Sequence, residues 1–313
     1  MGMLIRGKWD DRADLSMVAG RYRREESSLP STIDAEGTQA IGEVPGRIIL
    51  VASASCPWSH GAVIVRVLRG LSEHVPLQLA GGPRVQGYGL LPDGPITSGG
   101  GVQHAHQLYT MTDPDYTGRA TVPMLWDSAR RRILSNSSAE IMRAFNSAGQ
   151  GPDLRPEDLA EDIETLTQKI FDGLSNAVYR AGKAQRQDEY DEAVDTVFAT
   201  MDLLETRLGQ QRFLFEQILT TADIRLFATL VRFDTVYATH FRCTRKRLVD
   251  YPALWRFTRR IYQMPGIRQT VDFDEIRFGY YRNDGSHNPF GLIGQQPQID
   301  WEDRSGLDTK SAW

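Results

Sequence analysis

Apolar and polar positions along this 313-residue chain follow two different periods, and the change falls near residue 150. RIILVAS (47–53) is a short β-rich run bounded by Gly46 and by Ser-Cys-Pro, and it predicts a buried strand. WSHGAVIVRVLRGL (58–71) then places apolar residues at 62, 63, 67, 68 and 71, the spacing of an amphipathic helix. Pro57 falls in its first turn, where a missing N–H costs nothing. VPLQLA (75–80) predicts a second strand, and the glycine-rich stretch 81–103, with three prolines, predicts a loop. ATVPMLWD (120–127) and RRRILSNS (130–137) read as strand, tight turn and strand, and SAEIMRAFN (138–146) as a helix.

GQGPDLRP (149–156) has the composition of a linker, and beyond it the period is helical. In the stretch 190–208 the residues Tyr190, Ala193, Val194, Val197, Met201, Leu204 and Leu208 share one helical face. LTTADIRLFATLVRFDTVY (219–237) opens with Thr220-x-x-Asp223, a capping box, and Leu219 and Ile224 have the spacing of a hydrophobic staple across it. Residues 1–45 are polar and irregular, with RYRREESSLPST (21–32) expected as an extended arm, and the Gly/Pro/Gln-rich tail from about 283 is expected to be loose.

The order β-α-β followed by β-β-α is that of a thioredoxin-like domain. The expected organisation is therefore an arm (1–45), an α/β thioredoxin-like domain (46–148), an all-helical domain (155–282) and a tail (283–313).

Charge and composition narrow the functions open to such a chain. A net charge of −4 gives no electrostatic footprint for nucleic acid, and RCTRKR (242–247) reads as a solvated helix end. No apolar run approaches the roughly 20 residues that span a bilayer. The N-terminus turns acidic before a secretory core could form, so a cytoplasmic protein is expected. Only five of the 36 basic residues are lysine, the mark of GC-rich coding. Two cysteines, Cys56 and Cys243, make neither a disulfide framework nor a metal set.

Cys56 is where chemistry is expected. It stands at the end of a strand and the start of a helix, where unsatisfied amides and the helix dipole favour a thiolate. Ser59 occupies the place of the second cysteine in a C-x-x-C pair, so a mixed disulfide at Cys56 must be resolved by an outside thiol. In a thioredoxin-like domain the proline of Val122-Pro123 would be cis and face the cysteine, and the residue before it would pair with an extended thiol peptide as an added strand does. Ser137-Ser138 at a helix start is either an anion site or an ordinary cap. HAH (104–106) lacks a nearby third ligand for a metal. Trp126 and Trp255 suit the core, and Trp58 stands beside the cysteine.

These features together resemble a two-domain glutathione transferase, and more closely the xi class, the glutathionyl-hydroquinone reductases. SCPWSH (55–60), YTMTDPDYTGRATVPMLWD (109–127), ILSNSSAEIMRAFN (133–146), NAVYRAGKA (176–184), TTADIRLFATLVRFDTVYATHFRC (220–243), YPALWRFTRRIYQMPGI (251–267) and TVDFDEIRFGYY (270–281) carry the resemblance. It implies the glutathione-transferase fold, a homodimer, no permanently bound cofactor, a low-molecular-weight thiol as co-substrate and a quinol-type aromatic substrate. It implies further that Cys56 is the nucleophile, that Trp58, Tyr88, Arg119, Val122, Pro123, Ser137 and Ser138 hold the thiol, and that Tyr179 with Tyr280 or Tyr281 bonds the quinol oxygens.

The chain departs from the family pattern at several places. The family's C-P-W-A-H-R reads Cys-Pro-Trp-Ser-His-Gly here, losing an arginine at Gly61. The Gly-Trp of its loop is Gly87-Tyr88, and the closing Y-Y-x-S-H reads Tyr-Tyr-Arg-Asn-Asp, with His287 out of register. The Glu-Ser pair is Ser137-Ser138, which removes the carboxylate expected to face the ammonium of glutathione. A buried charge that loses its partner costs on the order of 3–5 kcal/mol, less where solvent reaches it. Mycothiol, a sugar-linked thiol of GC-rich actinobacteria, has no such ammonium and is the alternative co-substrate. Two other functions stay open: a transferase or lyase on a pathway-specific electrophile, and a non-catalytic protein that binds an aromatic ligand.

Overall fold

The strand-like runs of the first region assemble into one mixed sheet. In the computed structural model, which describes residues 2–23, 27–30, 32–285 and 287–307, the five strands lie in the spatial order Gly89–Leu90, Leu77–Gly81, Ile48–Ala52, Met124–Asp127, Arg132–Ser135. Ile48–Ala52 is parallel to Leu77–Gly81 and antiparallel to Met124–Asp127. All five of its residues are buried, as an apolar run without alternation requires of a strand covered on both faces. The helices Pro57–Leu68 and Ser138–Ala148 each bury an apolar stripe. Ile49, Val51, Met124, Trp126 and Ile133 from the sheet share a core with Leu108, Tyr109 and Tyr116.

The first 45 residues are more ordered than their polarity suggests. Met3–Ile5 pairs with Lys8–Asp10 as a hairpin, Met17–Val18 pairs with Arg21–Tyr22, and Ala35–Glu43 is a helix. Leu4 exchanges two backbone hydrogen bonds with Gly118, at 2.9 and 3.0 Å, so the hairpin is held by tertiary pairing that no local pattern signals. The expected arm at 21–32 lies partly outside the described residues, since 24–26 and 31 are not among them. A further helix, Ala105–Thr112, follows the glycine-rich loop; it shows only a short apolar pattern but buries Ala105, Leu108 and Tyr109.

The chain divides into two compact units that exchange segments. One comprises Met1–Ser16, Arg24–Gly151 and Asp274–Leu292, and the other Met17–Arg23, Pro152–Phe273 and Ile293–Trp313. A single cut near residue 150 cannot anticipate this, because membership depends on packing partners remote in sequence. The second unit is helical, built on Ala160–Ile170, Ala177–Lys183, Gln187–Gln210, Thr221–Leu230 and Pro252–Tyr262.

The tail is not loose throughout. Trp301 is 8% exposed, its ring lies 5.0 Å from that of Trp255, and the Gln263 amide donates to its carbonyl at 2.8 Å. A large aromatic surface withdrawn from water outweighs the turn-rich composition around it. The last six residues, 308–313, lie outside the described part. No helix among the described residues is long and apolar enough to cross a membrane.

Asp127 ties the sheet edge together. Its buried carboxylate accepts from Arg47 Nη2 at 2.9 Å, Arg130 Nε at 2.7 Å and the Ala129 and Arg130 amides at 3.0 and 3.1 Å. Burial disfavours the charge, but these donors outweigh it and hold the carboxyl down at about 2. In the native state the group therefore binds fewer protons than in the unfolded state between about 2 and 3.8, and its contribution is full above that window and lost below it. The expected result is that lowering the pH from 4 to 2 costs the wild type roughly 2 kcal/mol more than it costs Asp127→Asn. Parallel thermal unfolding curves of the two proteins across this range would contradict the assignment.

Candidate functional site

The strand Ile48–Ala52 delivers the chain to a turn in which the Cys56 amide donates to Ser53 O at 3.0 Å, with the Ser53 and Ser55 hydroxyls 3.0 Å apart. Cys56 is the N-cap of Pro57–Leu68, with φ −84° and ψ 119°. Its Sγ accepts from the Ser59 amide at 3.5 Å, as an N-cap side chain does, and the thiol faces Val122 O, also at 3.5 Å. The residue is 7% exposed and belongs to the buried cluster that includes Val122, Met124 and Trp126. The Val122–Pro123 peptide bond is cis. Trp58 is partly buried against the same core. The Ser59 hydroxyl is buried with no hydrogen-bond partner.

The backbone leading into Val122 is held from below. Tyr109 Oη donates to Thr121 O at 2.9 Å and accepts from Thr121 N at 3.1 Å, and Asn136 Nδ2 donates to the same hydroxyl at 2.9 Å. Burial pushes the Tyr109 phenol up to about 12, so it stays a donor at neutral pH. Arg119 is half-buried just upstream, and its carbonyl accepts from Tyr116 Oη at 3.5 Å. Ser137 is the N-cap of Ser138–Ala148, its Oγ accepting from Glu140 N at 3.4 Å, and Ser138 is the first helical residue.

A second tyrosine, Tyr88 of the glycine-rich loop, packs against the same core and interacts electrostatically with Cys56. Burial pushes the Tyr88 phenol up to about 12; the charges of Cys56 and Tyr280 act in the same direction, while Arg84 and Arg119 oppose them. These four side chains therefore stand within electrostatic reach of Tyr88. Arg84 Nη2 donates to Tyr88 Oη at 2.9 Å, and the guanidinium carbon lies 4.2 Å from the ring centroid. Tyr280 and Tyr281 sit on a π-helical turn, Phe278–Arg282. That turn rests on the cysteine loop: a Cβ at Gly279 would lie 2.3 Å from Ser55 Cβ. Only glycine permits this approach, and it seats the turn that carries the two tyrosines against the residue that precedes Cys56.

Cys56, Trp58, Tyr88, Arg119, Val122, Pro123, Ser137, Ser138, Tyr280 and Tyr281 all belong to the first unit. Tyr179 belongs to the helical unit, where its ring lies 6.3 Å from Tyr22, 6.0 Å from Tyr237 and 5.2 Å from Phe241. Cys243 is fully buried there, and burial pushes its thiol up to about 12, which keeps it protonated and unreactive. His104 and His106 stack on each other, and Trp9 stacks on His106 at 5.0 Å. No group of three His, Cys, Asp or Glu side chains among the described residues is arranged to hold a metal.

Sequence reasoning passed over Tyr109, Asn136, Arg84 and Asn283. Tyr109 had a signal, since Leu108 and Tyr109 lie on the buried side of a short helix; the other three are polar loop residues whose partners are distant in the chain.

Residues 187–260 match the family model of the glutathione S-transferase C-terminal domain. Over 99% of its length the chain is 40% identical to the glutathionyl-hydroquinone reductase YqjG of Escherichia coli K12, of which it covers 99%. It is similar to the glutathione-bound structure of that protein, with 42% identity, a TM-score of 0.80 and coverage of 83% of this chain and 87% of the other. It is similar also to the xi-class glutathione transferase of Natrialba magadii, with 34% identity, a TM-score of 0.87 and coverage of 97% and 96%.

Proposed function

The chain belongs to the family of the xi-class glutathione transferases and glutathionyl-hydroquinone reductases, and from that premise we propose that it is a reductase that removes glutathione from hydroquinone thioethers through a mixed disulfide at Cys56. The observation that carries this reading is the setting of a lone sulfur. Cys56 caps a helix N-terminus, receives the Ser59 amide and faces Val122 O, while residue 59 offers no second thiol.

In the first step the Cys56 thiolate attacks the thioether sulfur of the adduct. The S–S bond forms, the aryl C–S bond breaks with its electron pair, and the ring carbon takes up a proton to give the free hydroquinone. The two sulfurs are oxidised and the ring carbon is reduced. In the second step an external glutathione thiolate attacks the mixed disulfide, releasing glutathione disulfide and the Cys56 thiolate. The adduct's thiol portion would lie along Val122, whose backbone is steadied by the Tyr109 hydroxyl through Thr121. Tyr280 would donate to a quinol oxygen, a role supported by the packing of its turn on Ser55 and by its electrostatic interaction with Tyr88. The quinol-oxygen role of Tyr179 rests on the family resemblance.

Residue 137 bears on which thiol is used. The Ser137 hydroxyl accepts a helix-cap bond from Glu140 N, so the side chain supplies no carboxylate to a glutamyl ammonium. That observation favours mycothiol as a second co-substrate to be tested beside glutathione.

The test is intact mass after brief exposure to glutathionyl- and mycothiol-substituted menadiol. We expect one thiol adduct on Cys56 together with free menadiol, formed faster with the true co-substrate. An aromatic adduct without release of reduced quinol would instead indicate a transferase. Absence of any adduct, with slow ordinary alkylation of Cys56, would overturn catalysis altogether and leave a binding protein.

A further inference from the structure

Three hydrogen bonds converge on a side chain that the chemistry above does not use. Asn283 Oδ1 accepts from the Arg84 amide at 2.9 Å, and its Nδ2 donates to Gly82 O and to Gly279 O, each at 3.3 Å. Asn283 follows the turn Phe278–Arg282 directly, while Gly82 and Arg84 belong to the loop that leads to Tyr88. One amide therefore spans two segments separated by 199 residues between Arg84 and Asn283. All of these residues lie in the same compact unit as Cys56.

Both ends of this span carry site residues. On one side the Arg84 guanidinium holds Tyr88, donating to its hydroxyl at 2.9 Å and lying 4.2 Å from its ring centroid. The hydroxyl that accepts this bond still has its own proton to donate. On the other side Gly279 O is the acceptor, and the same glycine is pressed on Ser55 so closely that no Cβ fits. The bond from Asn283 thus fixes the turn where it touches the cysteine loop, and Tyr280 is the next residue.

We propose that Asn283 is a positioning residue that locks the Tyr88 loop and the Tyr280 turn into one frame around Cys56, and so sets how tightly the quinol end of the adduct is held. Asparagine suits this role because a single planar group offers one acceptor and two donor hydrogens in fixed directions. Aspartate keeps the acceptor for Arg84 and has no hydrogen for the two carbonyls. Serine is too short to reach across both segments. The predicted effect is on substrate affinity and not on the sulfur, because none of the three bonds touches Cys56, Ser59 or Val122.

The inference rests on the proposed function for its kinetic half and stands on the free protein for its other half. Asn283→Ala and Asn283→Asp would be compared with the full-length wild type in three measurements. Hydrogen exchange should show the Arg84 amide opening roughly tenfold faster in Asn283→Ala, the factor that corresponds to one hydrogen bond, and staying protected in Asn283→Asp. The KM for glutathionyl-menadiol should rise roughly 3–10-fold in both variants, with kcat changed less. Alkylation of Cys56 by iodoacetamide should stay within about twofold of wild type, since its helix cap is untouched. An unchanged KM in both variants, or a fall in alkylation rate and thermal stability that parallels KM, would overturn the positioning role. If the wild type itself does not turn over the adduct, the functional reading has failed instead. Exchange then decides the frame: faster opening of 82–88 and 278–283 together in Asn283→Ala supports it, and loosening of one segment alone refutes it.

Discussion

Cys56→Ser is expected to lower kcat/KM for glutathionyl-hydroquinones by roughly 10³-fold or more, the scale on which loss of a nucleophile acts. An alkoxide is not available at neutral pH, and oxygen cannot form the disulfide that carries the thiol between steps. The fold should be indifferent to the change. Cys56 is the N-cap of Pro57–Leu68 and accepts from Ser59 N, a bond that a serine hydroxyl makes well. Thermal unfolding of the variant should therefore stay within about 1 kcal/mol of wild type. The second cysteine offers no bypass, because Cys243 is buried with its thiol pushed up to about 12. The measurement is steady-state release of quinol and of glutathione disulfide. Residual turnover within tenfold of wild type would remove Cys56 from the mechanism.

The second large effect concerns stability and lies in the helical unit. Asp223 accepts from the Leu214 amide at 2.7 Å, from the Thr220 amide at 2.8 Å and from the Thr220 hydroxyl at 2.7 Å, all in a fully buried setting. It closes the capping box of Thr221–Leu230, and Leu219 and Ile224 on either side of it are buried. Asp223→Ala strands two buried N–H groups and a hydroxyl, each at about 1–3 kcal/mol, so a loss of about 3–5 kcal/mol is expected. Asp223→Asn, which keeps one acceptor and turns a donor toward a donor, should lose about half of that.

Acidity gives this site a signature of its own. Burial pushes the Asp223 carboxyl up to about 6, against the hydrogen bonds that favour its charge. The native protein then retains this proton between about 3.8 and 6 while the unfolded chain releases it. The native state binds more protons in that window, so the group's contribution declines as pH rises through it. Asp223→Asn should lack this slope, the reverse of the acid-side loss assigned to Asp127. Equal unfolding midpoints for wild type and Asp223→Ala by urea titration would refute the capping role.

Much of the site could be read from local pattern because its central features are local. A strand ending in Ser-Cys-Pro and running into a helix places a sulfur at an N-cap wherever the chain folds, since the helix end creates unsatisfied amides. The Thr220-x-x-Asp223 box lies within one turn, and the helical face of 190–208 is a matter of period alone. Glycine and proline content was a poorer guide, since it concealed the strand Gly89–Leu90 within an expected loop. Composition likewise misjudged the tail, where one buried aromatic, Trp301, anchors a turn-rich segment.

By itself the sequence determined the two periods of the chain, the strand–cysteine–helix junction, the absence of a second thiol at Ser59 and the capping box at Thr220, because each depends on residues within a few positions of one another. Only the tertiary structure decided that residues 274–292 join the thioredoxin-like unit, that Gly279 seats the tyrosine turn on Ser55, that Arg84 grips Tyr88 and that Asn283 ties the two together. The physical reason is the range of the interactions. Helix caps and strand patterns are settled by neighbouring backbone groups, whereas a hydrogen bond between residues 84 and 283 forms only after hydrophobic burial has brought remote segments into reach.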